Sequence, residues 1–514
     1  MKTKFIDHQS GFALDISGLR AVHSAPAELF NQFKKVSREM QKIESGEIKN
    51  PDENRQVTHF TDRIAYPSSP LFAEVEQFAD NIRHGRITGG TGRSFKAVVV
   101  NGIGGSALGP QLVNFALNGP YWNELSAAKR RNWLKIYFTD NTDSSGITDV
   151  LNVVDLEETI ILSISKSGGT RETYNNMKAF EQVYTEAGLN FSEFAAAITM
   201  VGSKLDKYAE ARNWLKRFPM AESIGGRTSE TSIVGHLPAA LAGIDFSMFL
   251  KGAVYMDQVT RAEQVEVNPA YMLAACWYAA GNGKGDKNMV IVPYSDRLVL
   301  LSRYLQQLVM ESLGKALDLD GNVVHQGINV FGNKGGTDAH AFIQQLNDGR
   351  NDFFITFIEV LKDSRNFTYD DGFSMGDYLH GFKDGLSNAL RSKAREVIEI
   401  EITDINEFNL GMVIALYERA VAAYAELIHI NAFHQPGVQA YKLAAGTVID
   451  LYSKLKTFFT EHQGFSGSAA AFAEAVKTEA VKDVTGILNK MSFNTKLVER
   501  QWSESDNDWK YRVC

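Results

Sequence analysis

Residues 98–113, VVVNGIGGSALGPQLV, run from an unbroken apolar stretch into a cluster of glycines and out again into a helical pattern. A β-branched run that stops on glycines and hands over to a helix is the opening of a βαβ unit. Gly102, Gly104 and Ala107 also meet the spacing G-x-G-x-x-G/A, at the kind of strand-to-helix turn where backbone N–H groups and the helix dipole hold a phosphate. The stretch sets the fold class and poses the first functional question: a dinucleotide, a simpler phosphate, or only a tight turn.

Working outward, WLKIYFTDN, TIILSISKS and AAAITMVGS repeat the short β-branched pattern between helix-length segments. Strands alternating with helices imply a parallel, doubly wound sheet, here over residues 93–250. A helix-rich connector at about 235–285 is followed by KNMVIVPYSD, DFFITFIEVL and VIEIEITD. These predict a second, larger α/β domain over 251–450, a duplicated architecture without a residue-level repeat. Residues 1–92, ending in RITGGTGRS, predict an N-terminal helical region, and 451–514 a small helical C-terminal extension with a polar end.

At 514 residues the chain exceeds the roughly 250 to 300 at which one core stops growing. Its 44% hydrophobic and 22% charged residues are those of a globular protein. A net charge of −8 provides no broad field for nucleic acid or anionic lipid, so an anionic ligand needs a local site. The helix-turn-helix character of the tail is read against that charge, and no nucleic-acid partner is expected. Cys276 and Cys514 are too few for a disulfide framework or a zinc cluster. No apolar run approaches the roughly 18 residues of a membrane span, and the N-terminus lacks a signal-peptide core. A cytoplasmic protein with no membrane partner is expected.

The dinucleotide reading weakens on inspection. It calls for an acid about 20 positions on to take the ribose hydroxyl, and the acid of the next strand, Asp140, lies almost twice as far along. A second loop, SISKSGGTRET at 163–173, crowds Ser165, Ser167, Thr170 and Thr173 around two glycines and Lys166. Hydroxyls and free N–H groups at a helix start suit a phosphate monoester, although a hydroxyl-rich N-cap alone also explains one such loop.

Glu311 lies in LLSRYLQQLVMESLGKALD, read as a helix whose apolar positions recur at Leu301, Leu305, Leu308 and Leu313. Taken alone it is a surface residue paired with Lys315 at i,i+4. Its company is what singles it out: Arg227 after two glycines, His340 in NKGGTDAHAF and Lys442 in HQPGVQAYK, each beside a glycine- or proline-containing break where loops carry function. Read singly, Arg227 is an oxyanion stabiliser or an interdomain ion pair, His340 an acid/base group or a capping histidine, and Lys442 a solvated lysine.

Six stretches in order, GIGGSALGP, ISKSGGTRET, GGRTSETSIVG, QQLVMESLGK, GNKGGTDAHAFIQQLNDG and QPGVQAYK, resemble the successive signatures of the glucose-6-phosphate isomerase family over most of the chain. The resemblance implies two sugar-isomerase-type α/β domains and an aldose–ketose isomerisation through ring opening and an enediolate, with no metal and no cofactor. It implies Glu311 as the proton-shuttling base, Arg227 facing the enediolate, and His340 and Lys442 in ring opening. It further implies substrate contacts by Gly105, Ser106, Ser165, Lys166, Ser167, Thr170, Gln307 and Gln435, and a homodimer in which His340 serves the partner's site. His434 and Gln439 stand where relatives usually or often carry acids. The competing expectations are activity on mannose 6-phosphate as well, and a regulator that binds sugar phosphates without turning them over.

Overall fold

A computed structural model describes residues 2–514, with Gln439 described by its backbone alone. The chain divides into two compact units, one ending at His434 and one running from Gln435 to Cys514. The first unit holds the two large sheets.

The first sheet is five-stranded and wholly parallel, in the spatial order Lys135–Thr139, Ala97–Asn101, Thr159–Ile164, Ala195–Thr199, Lys216–Pro219. Every residue of Ala97–Asn101 and of Thr159–Ile164 is buried, because helices cover both faces of such a sheet and the strands read as unbroken apolar runs. From Ala97–Asn101 the chain crosses through the helix Leu108–Asn118 to Lys135–Thr139; from Thr159–Ile164 it crosses through Arg171–Glu186 to Ala195–Thr199, on the opposite side. The two neighbouring central strands therefore send their connections apart. That is the topological switch point at which open α/β sheets form a ligand crevice beyond the carboxyl ends of their strands. Both glycine-bearing loops singled out by sequence, 102–107 and 165–170, leave these two strands.

The second sheet has six strands in the order Lys4–Asp7, Phe12–Asp15, Glu396–Ile402, Phe353–Val360, Asn288–Pro293, Val330–Phe331. The last four pair in parallel and the first two are antiparallel. The N-terminal region is thus more than a helical layer: KFID and FALD fold as a hairpin and extend this sheet. Its helices, notably Ala27–Glu44, pack with the almost wholly buried helix Glu407–Leu427 and with Pro269–Ala280 in one core. No helix among the described residues is long and apolar enough to cross a membrane.

The C-terminal unit begins with the helix Pro436–Glu461, which runs unbroken through the boundary expected at 450/451. Helices Ala469–Ala475 and Val481–Asn494 match the two expected, but a three-stranded sheet, Ser466–Ser468, Asp508–Val513 and Val498–Ser503, accompanies them. The extension is therefore mixed rather than helical. Val498, Tyr511 and Val513 bury one face of the terminal hairpin against Leu455, Phe472 and Leu488, and the polar residues read as a loose end form its other face.

Candidate active site

Four segments of the first unit meet at the switch point. The chain leaving Ala97–Asn101 turns at Gly104, with φ +59°, where a Cβ would stand 2.9 Å from the Gln307 Nε2; a Cβ on Gly105 would stand 1.8 Å from the carbonyl oxygen of Gly226. Only glycine permits the second approach. Ser106 is half-buried on the same turn. In the next loop Ser165 Oγ donates to Thr170 Oγ1 at 3.2 Å, and the Gly169 N–H to Ser167 Oγ at 3.2 Å. Ser165, Gly168, Thr170 and Thr173 line a cleft of about 170 Å³. Thr170 stands at the N-cap of Arg171–Glu186 without a side-chain capping bond.

Lys166 ties this loop to the next segment, its Nζ donating to the carbonyls of Glu222 at 2.5 Å and Ile224 at 2.8 Å. Immediately beyond them Gly225 and Gly226 lead into Arg227, which is buried. Arg227 Nη1 donates to the Ala432 carbonyl at 2.5 Å, and its Nε lies 3.3 Å from Glu311 Oε2.

Glu311 does not sit on the regular helix expected from LLSRYLQQLVMES. A short helix Leu301–Leu305 passes into a π-helical turn over Gln306–Glu311, a widened geometry often found at functional sites. The turn buries Leu308 and Val309 and leaves Gln307 and Glu311, four residues apart, half-buried, so that Gln307 meets the Gly104 turn and Glu311 meets Arg227. Nor does Glu311 pair with Lys315 as a surface i,i+4 couple. The Lys315 Nζ donates instead to the Glu311 backbone carbonyl at 2.7 Å, and Lys315 is 4% exposed.

With this geometry in view, the comparisons are decisive. Residues 22–374 match the family model described as phosphoglucose isomerase. The chain is 46% identical to a glucose-6-phosphate isomerase of Geobacter sulfurreducens, over 91% of this chain and 89% of that one. The figure for a relative of the same name from Nostoc punctiforme is 47%, over 87% and 85%. The crystal structure of a glucose-6-phosphate isomerase from Chlamydia trachomatis superposes with a TM-score of 0.76 at 25% identity, covering 88% of this chain and 90% of that one. The chain belongs to the phosphoglucose isomerase family.

Of the residues that the family resemblance implies, the structure brings Gly105, Ser106, Lys166, Arg227, Gln307 and Glu311 together through contacts among their segments, with Ser165, Ser167 and Thr170 in the adjoining loop. His340 is not gathered there. It ends the short turn Asp338–His340, is exposed, and lines a separate cleft with Tyr294, Thr337, Gly381 and Phe382. Gln435 and Lys442 belong to the C-terminal unit, at the N-cap and on the first turns of Pro436–Glu461, both exposed.

Two further cations, which the sequence reading did not assign to a site, stand in this cluster. Arg55 donates through Nη1 to the carbonyls of Glu222 and Ser223, each at 3.2 Å, and through Nε and Nη2 to Glu53. Lys315 is the other. Electrostatics show what the gathering costs. Burial holds the Arg227 guanidinium below its ordinary value, opposed by the Glu311 carboxylate. Burial and then Arg55 push Lys166 down to about 8, while burial and then Arg227 push Lys315 down to about 7. His434, 3.6 Å from Asp52, is also lowered by burial, with Lys315 adding to the effect. Burial leads in each case, and the neighbouring cations add to it for Lys166 and Lys315: cations drawn out of water beside one another give up charge more readily than they would in solvent.

Proposed function

We propose that the chain interconverts glucose 6-phosphate and fructose 6-phosphate through a cis-enediolate. The Arg227–Glu311 pair, at 3.3 Å on the wall of the switch-point crevice, carries this reading. A carboxylate beside a fixed buried cation supplies what proton abstraction next to a carbonyl needs: a base, and a charge that favours the oxyanion as it develops.

In the open-chain aldose Glu311 takes the proton from C2, the electron pair forms the C1–C2 double bond, and negative charge grows on the oxygens. Arg227 faces that charge more strongly in the transition state than in the ground state. Glu311 then returns the proton to C1 while the hydroxyl proton passes from O2 to O1, leaving the carbonyl at C2 and a hydroxyl at C1. One carbon is reduced as its neighbour is oxidised, so no external oxidant or reductant enters. The phosphate lies at Ser165, Lys166, Ser167 and Thr170, whose hydroxyls and helix start suit a dianion. Gly105, Ser106, Gln307 and Gln435 contact the sugar.

His340 and Lys442 open the ring, with His340 supplied by the second subunit of a cytoplasmic homodimer. The separation of His340 from the Glu311 cluster within one chain supports that arrangement, and dilution to monomers should abolish turnover.

A coupled assay on fructose 6-phosphate tests the proposal. Glu311→Gln should lose about 10² to 10⁴ in turnover; unchanged turnover would refute Glu311 as base. A wild type that binds the sugar phosphate without converting it would establish the regulator instead. Mannose 6-phosphate, assayed in parallel, reads whether the pocket distinguishes the stereochemistry at C2.

A further inference from the structure

Lys315 is placed where it can act on the base without touching the sugar. Glu311 ends a π-helical turn, and the chain is extended again by Lys315, the first residue of the strand Lys315–Leu317. A carbonyl at such an end has no helical N–H to accept from. The Lys315 ammonium reaches back to it at 2.7 Å, a charge-assisted cap stronger than a neutral hydrogen bond. Capping fixes the peptide plane beside Glu311 and hence the direction in which its side chain leaves the backbone. Arg227 holds the carboxylate itself from the other side. The base is thus held by two cations, one at its backbone and one at its carboxylate.

The two cations also repel one another inside a shared buried region. The charged and titratable groups around Lys315 are Arg227 from the turn Gly226–Thr228, Glu311 from the π-helical turn, Asp52 from the turn Pro51–Glu53, and His434. His434 loses its proton first, below 6.5, and of the two remaining cations the ammonium gives up its charge more readily than the guanidinium. Burial and Arg227 set that loss near neutrality. A neutral amine is a weaker donor to the Glu311 carbonyl. It also ceases to oppose Arg227, which then draws the carboxylate more firmly to itself.

We propose that Lys315 is a positioning residue whose ammonium, by capping the Glu311 carbonyl, holds the base in working geometry, so that isomerisation requires Lys315 to be charged. This rests on the isomerase reading above and adds to it a pH dependence from a residue that does not contact substrate.

The test is the pH profile of kcat/KM for fructose 6-phosphate, which reports groups of the free enzyme, in wild type, Lys315→Met and Lys315→Arg. Thermal melting alongside shows that each variant is folded. The wild-type profile should fall on the alkaline side from about pH 7. Lys315→Met should lose that limb and sit about 10- to 100-fold lower, the worth of one hydrogen bond to a charged group, with the loss in kcat rather than KM. Lys315→Arg, which keeps its charge, should carry its plateau to higher pH. His434 is held below 6.5 and titrates on the acid side. Lys166, at about 8, is the competing source of an alkaline limb, and its limb would be the same in all three proteins. An unmoved limb in both variants would overturn the role of Lys315 while leaving the isomerase intact. A folded wild type without turnover would overturn the isomerase reading, and this role with it. If Lys315→Met does not fold, Lys315→Arg decides alone.

Discussion

Two buried clusters of charge in the first unit are built on opposite plans. In the core, Arg63 donates to both oxygens of Asp257 at 2.6 Å and to Glu418 at 2.5 Å, and Arg419 donates to Asp257 at 2.7 Å and pairs with Glu44 at 2.5 Å. Two guanidiniums thus face three carboxylates. Arg63 is accordingly held above its ordinary value, its carboxylate partners outweighing the burial that opposes them, and Asp257 below, its two arginines likewise overcoming burial. At the crevice burial prevails over the carboxylates: Arg227, Lys166 and Lys315 are all held below theirs. The clusters are neighbours, separated by a cavity of about 20 Å³ lined by Arg227, Ser312, His59 and Glu418, room for about one water. A closed set of pairs fixes the helices that carry it. At the crevice burial is not fully repaid by the carboxylates present, and on the proposed reading the anionic substrate stabilises the charged forms.

The contrast can be broken from either side. The largest effect is expected in the core, where Asp257→Asn removes the charge between two buried guanidiniums. Breaking such a pair costs about 3 to 5 kcal/mol, so urea unfolding should show a strongly lowered midpoint while the turnover of each molecule still folded is little changed. Arg227→Met should do the reverse. It replaces a cation whose charge burial opposes more than Glu311 supports it by an apolar side chain, so the unfolding midpoint should hold or rise, while kcat falls about 10² to 10³, the cost of losing one oxyanion donor. Such opposition of stability and activity is what a strained functional site produces. If both variants lost stability alike, the distinction between the clusters would fail.

What sequence alone reveals of this molecule follows the range of the forces involved. AVVVN and TIILSI declare themselves as central parallel strands because burial on both faces makes the runs predominantly apolar, with Ser163 the one polar residue inside them and Asn101 and Thr159 at their ends. Lys216–Pro219, KRFP, is an edge strand with two cations and a proline, and nothing local marks it as part of a sheet. The terminal hairpin carries a legible period-2 signal in its buried Tyr511 and Val513, hidden by the polar residues between them. The glycine loops are legible for the same local reason as the central strands: close approach and hydroxyl donors are written in adjacent residues. Arg55 and Lys315 are not. Arg55 matters because it meets carbonyls 167 and 168 positions away, and Lys315 because Arg227 is brought against it from another segment. Likewise Asp52 stands beside His434 but far from it along the chain.

The smallest expected effect sharpens the comparison from the core side. Burial pushes the Glu418 carboxyl up to about 7 in spite of Arg63. A carboxyl raised above its unfolded value of about 4.3 binds more protons in the native state than in the unfolded chain between those two pH values. Stability therefore falls as pH rises through that window, and what Glu418 contributes is present below it and lost above it. His59 and His236 are held below 6.5 by burial, so they release protons on folding and make stability rise with pH over an overlapping range. The net wild-type curve mixes the two signs, and only a difference isolates Glu418. Glu418→Gln keeps the shape and an acceptor for Arg63 but cannot titrate. Subtracting its unfolding midpoints from those of wild type should leave a curve descending from about pH 4.3 to about 7; a flat difference would mean that Glu418 stays ionised, and that the core cluster is more fully charged than its burial implies.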